Sequence, residues 1–370
     1  MAPEVLDLFN ELAALPSPPG AERAVADRVA RYLRDCGLAF DEDATGPKTG
    51  SEIGNIYARL EPTADGVPLF LCAHLDTVPP TAAIEPVVED GIVKNAAGTI
   101  LGADNKAAVA VMLEAARRIA AENRPHAGVE LLFTSKEEVG LVGAYAFDHL
   151  RLKARLGYVY DQAAPIGNVI LGAPYSQSLE VTFHGRAAHS GMHPEEGRSA
   201  IAAAARAIAE LRLGRVDEDS TSNVGTITGG TATNIVPEWC TFVAEARSQD
   251  ERKLADLVQE MQDAITFAAG VADCSVETKT RKSYRGYRFA RTDEAVVRAA
   301  AALEACGFDV SYDLSGGAAD ANVFNERGLE CVNLANGMTD IHTPNEHIAV
   351  ADLQAMVDVT LALVAGALTH

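Results

Sequence analysis

Residues 129–140 read Val129-Glu130-Leu131-Leu132-Phe133-Thr134-Ser135-Lys136-Glu137-Glu138-Val139-Gly140. Val129–Thr134 has the apolar, β-prone character of a buried strand. Two adjacent carboxylates follow it, just before a Gly-containing helix start. Charge at the C-terminal end of a core strand sits where open α/β sheets place their chemistry. Adjacent residues on an extended backbone point in opposite directions. One of the two carboxylates can therefore hold a metal while its neighbour faces a water on it.

The surrounding pattern places this strand in a layered α/β unit. Val67–Ala73 reads as an apolar strand, Lys106–Ala121 as a helix with an apolar face, Leu141–Leu150 as a helix and Leu156–Tyr160 as a short strand. Alternation of this kind predicts a mixed, largely parallel sheet covered by helices. The pattern changes at Ser178–Gly185, which alternates apolar and polar as a half-exposed antiparallel strand does. A helix over Ser199–Leu213, strands over Ser222–Thr228 and Cys240–Ala246, a helix over Arg252–Ala269 and a strand over Ser275–Tyr284 complete a βαββαβ two-layer unit. The α/β pattern then resumes: a helix over Glu294–Cys306, strands over Phe308–Leu314 and Glu330–Leu334, and a closing helix over Val350–Leu368. The expected organisation is one domain of residues 1–174 and 286–370, interrupted by an inserted domain at 175–285.

Other strand ends also carry metal-binding side chains. His74 and Asp76 lie two apart in Ala73-His74-Leu75-Asp76-Thr77, on one face of an extended segment. Imidazole is a good zinc ligand, and a neighbouring carboxylate can accept the other ring N–H and fix the tautomer. Asp104, in Gly102-Ala103-Asp104-Asn105-Lys106, stands at a helix start, where it could cap the helix or bridge two ions. Asp161 ends the strand in Tyr158-Val159-Tyr160-Asp161. His342, in Ile341-His342-Thr343-Pro344-Asn345-Glu346, lies in a loop after the last core strand, whereas the neighbouring His347 reads as a loop histidine. Taken singly, each fragment could be satisfied by local hydrogen bonds. Together they supply nitrogen and oxygen donors without thiolate, which suits zinc, with manganese or cobalt as alternatives. They are too many for one tetrahedral ion and suit a pair bridged by a carboxylate.

Composition narrows the setting. At 48% hydrophobic the chain is expected to pack rather than stay disordered. Its net charge of −21 argues against nucleic acid and anionic membranes as partners. The six cysteines form no C-x-x-C pair and read as reduced thiols. The N-terminal run reads as an amphipathic helix rather than a signal peptide, and no apolar span reaches membrane length. A cytoplasmic location is expected. No H-E-x-x-H, G-x-S-x-G, P-loop or G-x-G-x-x-G motif competes.

The ordered segments HLDTVPP, GADNKAA, SKEEVG, the Asp after YVY, and IHTPNE resemble the signatures of the di-zinc exopeptidases, the family of peptidase T, carboxypeptidase G, succinyl-diaminopimelate desuccinylase and the aminoacylases. The resemblance spans nearly the whole chain. It implies two zinc ions per subunit, one held by His74, Asp104 and Asp161, the other by Asp104, Glu138 and His342. It also implies that Asp76 orients His74 and that Glu137 is the general base acting on a water bridging the ions. The inserted domain resembles the family's lid and dimerisation domain, which implies a homodimer. Within it, GRAAHSG resembles the lid histidine motif and assigns His189 to oxyanion stabilisation. By the same resemblance Asn234, Arg247, Gly316 and Gly317 would contact substrate. In the last segment Ala318-Ala319 departs from the usual small polar residue.

Asp rather than Glu at position 161, together with GRAAHSGMHPEEGRSAI and GGTATNIVPE, resembles the peptidase T-like branch. The implied activity is an aminopeptidase on short peptides such as tripeptides. The alternatives are an N-acyl-amino-acid deacylase, desuccinylase or carboxypeptidase of the same family, and an inactive peptide-binding member.

Overall fold

The computed structural model describes residues 4–369 as two compact units, 4–172 with 288–369 and Ala173–Tyr287. The first is built on a mixed sheet. Its centre consists of four parallel strands: β1 (Leu69–His74), β2 (Val129–Thr134), β3 (Leu156–Gln162) and β4 (Glu330–Ala335), in the spatial order β2-β1-β3-β4. All residues of β1 and β2 are buried, as parallel strands covered on both faces require. From β1 the chain passes through α1 (Ala103–Ala121) to β2 on one side, then to β3 on the other. That reversal is a topological switch point at the carboxyl ends of β1, β2 and β3, where open α/β sheets place their ligands. Helix α1 is buried over most of its length, as expected of a helix apolar nearly all round.

Antiparallel strands extend this sheet. Ile56–Leu60 pairs with β2, Phe40–Glu42 pairs with Ile56–Leu60, and Asn168–Ala173 pairs with β4. A small separate sheet joins Pro86–Glu89, Ile92–Asn95 and His347–Ala349. The N-terminal helix Val5–Ala13 buries Leu8, Phe9 and Leu12.

The structure departs from the sequence reading at several elements. The expected helix over Leu141–Leu150 is a short one, Val142–Ala146, because Phe147 turns extended and Asp148 caps a separate turn at His149–Arg151 through the Leu150 amide. The expected strand from Phe308 begins only at Ser311, since Phe308 and Val310 pack against the core instead. The two-layer unit gains a short fifth strand, Gly214–Arg215.

The second unit is an antiparallel sheet in the order Gly214–Arg215, Ser220–Gly229, Trp239–Ser248, Tyr175–His184, Ser275–Tyr284. Helices Ala200–Glu210 and Glu251–Val271 share a core with one face of it, around Leu179, Val181, Phe183, Phe242, Met261 and Ile265. All six cysteines are free. Among the described residues no helix is long and apolar enough to cross a membrane.

One close approach sets the spacing of the central strands. Gly157 in β3 pairs with Phe70 in β1, and a Cβ on Gly157 would lie 2.1 Å from the Phe70 ring. That ring meets Phe324 edge-on at 5.1 Å. Gly157→Ala must displace a fully buried ring. Overpacking of this kind costs about 1–3 kcal/mol, so the urea midpoint should fall with an unchanged slope.

Candidate metal centre

His74 is the last residue of β1 and is 2% exposed. Its Nε2 lies 3.1 Å from Asp104 Oδ1 and 3.8 Å from Asp161 Oδ1. The other oxygen of Asp104, Oδ2, lies 3.0 Å from His342 Nε2, which is in turn 3.1 Å from Glu138 Oε1. The two oxygens of one carboxylate thus face two different donor groups. Glu137 joins the first group: its carboxylate, His74 and Asp161 offer donor atoms all within 4.8 Å of one another, and so do His74, Asp104 and Glu138.

These separations fit the implied ions. Two ligands about 2.0–2.1 Å from one tetrahedral ion lie about 3.3 Å apart, inside the 3.0–3.8 Å spread between the imidazoles and their carboxylates. The electrostatics fit as well. Burial, reinforced by neighbouring Asp104, pushes the Asp161 carboxyl up to about 8. Burial also drives Glu137 well above the usual carboxylate range; Asp161, Asp320 and Glu138 add to the shift and His74 opposes it. Burial would lower His74, but Asp104, Asp161 and Asp76 outweigh it and raise the imidazole. Hydrogen bonds to Asp104 and Glu138 lift His342 to about 10. Burial raises the Asp104 carboxyl, yet His342 and His74 together hold it below its ordinary value. Carboxylates crowded this closely call for cations, either protons or metal ions.

Each side chain is placed by local structure. Glu137 and Glu138 are not separated by strand alternation, because β2 ends at Thr134. Lys136 adopts a left-handed backbone, φ 54°, and turns the chain. The Asp76 carboxylate then accepts both amides of the pair, Glu137 N at 2.9 Å and Glu138 N at 3.1 Å. The ring N–H at His74 Nδ1 is closest to the Asp76 carbonyl at 2.9 Å, with the carboxylate at 3.5 Å. Asp76 therefore orients His74 mainly through its backbone and the two glutamates through its side chain. Asp161 is held at the end of β3 by Asn333, whose side chain bonds its amide and its carbonyl, both at 2.9 Å. His342 sits on a left-handed backbone, φ 63°, two residues after Asp340 at φ 52°. Such conformations cost about 1–3 kcal/mol each and cluster at functional sites.

Four buried groups around this centre were not assigned from the sequence. The Glu22 carboxylate accepts the Lys136 amide at 3.1 Å and so fixes the turn before Glu137. Glu346, 2% exposed, accepts amides of the loop that carries Asp104. Lys106 is fully buried, and burial lowers its ammonium to about 7 against the opposing charges of Glu346 and Asp76. Asp320, raised to about 6 by burial, accepts a hydrogen bond from the Thr134 hydroxyl at the end of β2. Glu346 and Lys106 lie inside the quoted motifs, which was their only signal. Asp320 likewise lies in the Gly-rich segment that carries Gly316 and Gly317, whereas nothing distinguishes Glu22 from a surface acid.

The remaining residues singled out in the sequence belong to a loop of the first unit and to the second unit. Gly316 and Gly317 form the loop before the helix Asp320–Glu326, where Ser315 Oγ accepts the Gly317 amide at 3.1 Å. His189, Asn234 and Arg247 belong to the second unit. His189 is exposed, and its Nδ1 accepts the amides of Gly191 at 3.2 Å and Met192 at 3.1 Å. With Nδ1 accepting these two amides, Nε2 is the ring nitrogen left to donate. Asn234 is exposed, with its carbonyl bonded to the Ser190 amide. Arg247 donates to Glu245 at 3.1 Å.

Known proteins resemble this chain in sequence and in fold. Residues 172–272 match the M20 peptidase dimerisation domain, and residues 55–193 match peptidase family M28. The chain is 37% identical to the YqjE protein of Bacillus subtilis (strain 168), over 97% of both sequences. The aminopeptidase PepT from Bacillus cereus ATCC 10987 has the same fold at a TM-score of 0.88 and 37% identity, with 98% of both chains covered. This chain belongs to the PepT-like M20 metallopeptidases. A tripeptidase from Staphylococcus aureus subsp. aureus Mu50 is similar to it at a TM-score of 0.91 and 33% identity, over 97% of this chain and 96% of the other. Within this family the carboxylate-rich cluster is the expected seat of a metal-dependent peptidase reaction.

Proposed function

We propose that this metallopeptidase is an aminopeptidase that removes the N-terminal residue of short peptides, tripeptides foremost. The observation that carries the proposal is the pair of oxygens of Asp104, one toward His74 and the other toward His342, with Glu137 held beside them. Full-length similarity to an aminopeptidase PepT and a tripeptidase supports the substrate class.

His74, Asp104 and Asp161 would hold one divalent cation, and Asp104, Glu138 and His342 a second. The donor set suits zinc, and manganese or cobalt would be accepted by the same oxygens and nitrogens. Such a pair supplies Lewis acidity and lowers the pKa of water to near neutrality. Glu137 takes the proton of the attacking water and delivers it to the leaving amine. Burial raises its pKa above the usual carboxylate range, which suits a group that must both take and return a proton. Asp76 keeps that carboxylate in place through the Glu137 amide. The Nε2–H of His189 would stabilise the oxyanion, and Arg247, Asn234 and the amides at Gly316-Gly317 would contact the peptide. The match of residues 172–272 to a dimerisation domain supports a homodimer formed through the second unit. Six free thiols suit a reducing compartment, the cytoplasm.

The test is a substrate panel with zinc supplied. A tripeptide with both termini free, its N-acetyl and C-amide forms, a dipeptide, and N-acetyl and N-succinyl amino acids are compared. We expect cleavage of the free tripeptide with release of its first residue, and at least about 100-fold slower cleavage of the N-acetyl form, since an unpaired buried polar group discriminates strongly. Release of the last residue instead would make the enzyme a carboxypeptidase. Turnover of the acyl amino acids alone would make it a deacylase.

A further inference from the structure

We propose that Glu346 is a positioning residue that fixes the two metal-bearing loops against each other and thereby sets Asp104 for both ions. The inference rests on the reading of Asp104 as a shared metal ligand. Glu346 lies four residues after His342 in the same loop, yet its side chain reaches the start of α1. Its Oε2 accepts the amides of Leu101 at 2.7 Å and Gly102 at 2.8 Å, and its Oε1 accepts the amide of Asp104 at 2.9 Å.

The local backbone explains why this carboxylate is needed. The first amides of a helix have no intrahelical partner. Here Gly102 is left-handed, φ 78°, and Asp104 is itself non-helical, with φ −81° and ψ 103°. Leu101, Gly102 and Asp104 are all buried, so without Glu346 their amides would lose charge-assisted bonds in a region shielded from water. The buried Lys106 ammonium supplies opposite charge to Glu346 and Asp76, and its Nζ also bonds the Leu15 carbonyl. Glu346 therefore carries both ends of one contact: it holds the segment bearing Asp104 and belongs to the loop bearing His342, whose Nε2 lies 3.0 Å from Asp104 Oδ2. Misplacing either loop alters the distance between two ligands of one ion and, through Asp104, the other ion as well.

A mere helix cap would contribute stability and nothing more. Metal affinity separates the two roles. Full-length protein is stripped of metal and titrated with zinc against a chromogenic chelator, as wild type, Glu346→Gln, Glu346→Asp and Asp104→Asn. Gln keeps the size but loses the charge and turns an amide N–H2 toward backbone N–H groups. Loss of a group that orients a metal ligand lowers affinity by roughly 10- to 100-fold, and we expect this for Glu346→Gln, with a smaller loss for Glu346→Asp and part of kcat recovered at high zinc. Zinc binding equal to wild type in Glu346→Gln, with only a lowered urea midpoint, would overturn the proposal. If the Gln variant does not fold, Glu346→Asp decides: weakened zinc binding supports the proposal and unchanged binding overturns it. Asp104→Asn tests the underlying reading separately. Normal zinc binding in that variant removes the premise, whereas loss of zinc there beside normal binding in Glu346→Gln removes this inference alone.

Discussion

Glu137→Gln should bind metal as the wild-type chain does and turn over its peptide about 10²- to 10⁴-fold more slowly, the range that a positioned general base contributes. The substitution keeps the shape of the side chain. It leaves the turn intact as well, because Asp76 holds the pair through the backbone amides of Glu137 and Glu138, not through their carboxylates. Glu137 is 9% exposed and burial disfavours its charge, so a neutral amide of the same shape fits the position. Zinc content by elemental analysis should stay at the wild-type level, and KM should change little while kcat falls. Glu138→Gln is the contrast: it removes an oxygen 3.1 Å from His342 Nε2 and should weaken metal binding first. Full activity in Glu137→Gln would mean that another group moves the proton. Loss of zinc together with activity would mean that the two glutamates have been assigned the wrong way round.

That assignment was not available from the alternation of a strand. Strand alternation places two carboxylates beyond Thr134 and leaves open which one faces the ions; the family resemblance is what assigns Glu138 to a metal and Glu137 to the proton. The structure replaces the extended reading with a turn at Lys136, built by residues far away in the chain: Glu22 on the Lys136 amide and Asp76 on the next two. Strand-end ligands are legible because burial makes a strand apolar and function interrupts that pattern with charge. His74 and Asp161 stand out for this reason. Glu22 and Glu346 do not. They hold loops by accepting backbone amides, and any acid in a polar stretch looks the same until the chain is folded. The antiparallel strand Ile56–Leu60 was missed on similar grounds. Its partner Val129–Thr134 lies some seventy residues on, and five residues between Asn55 and Glu61 carry too short an alternation to announce it.

Asp104→Ala should have the largest effect on the ions themselves. Each of its oxygens lies about 3 Å from one of the two imidazoles, and among the described residues no other carboxylate makes both contacts. Glu138 approaches His342, and Asp161 approaches His74. Removing Asp104 therefore opens both groups at once, whereas removing Glu138 or Asp161 opens one. The fold should survive. Position 104 is anchored by its amide to Glu346 Oε1, an interaction that alanine keeps, and the far-UV CD spectrum and urea midpoint should remain near wild type. Metal content should drop from about two ions per chain to one at most. Lewis-acid stabilisation is worth several kcal/mol, and each 1.36 kcal/mol is tenfold in rate, so activity should fall by at least about 10³-fold. Elemental analysis after gel filtration and tripeptide turnover read the two quantities independently. A variant that kept two ions and lost activity would turn Asp104 from a bridge into a group that acts on the substrate. One that kept both would leave the facing imidazoles without a shared ligand, and the paired-ion reading would fail with them.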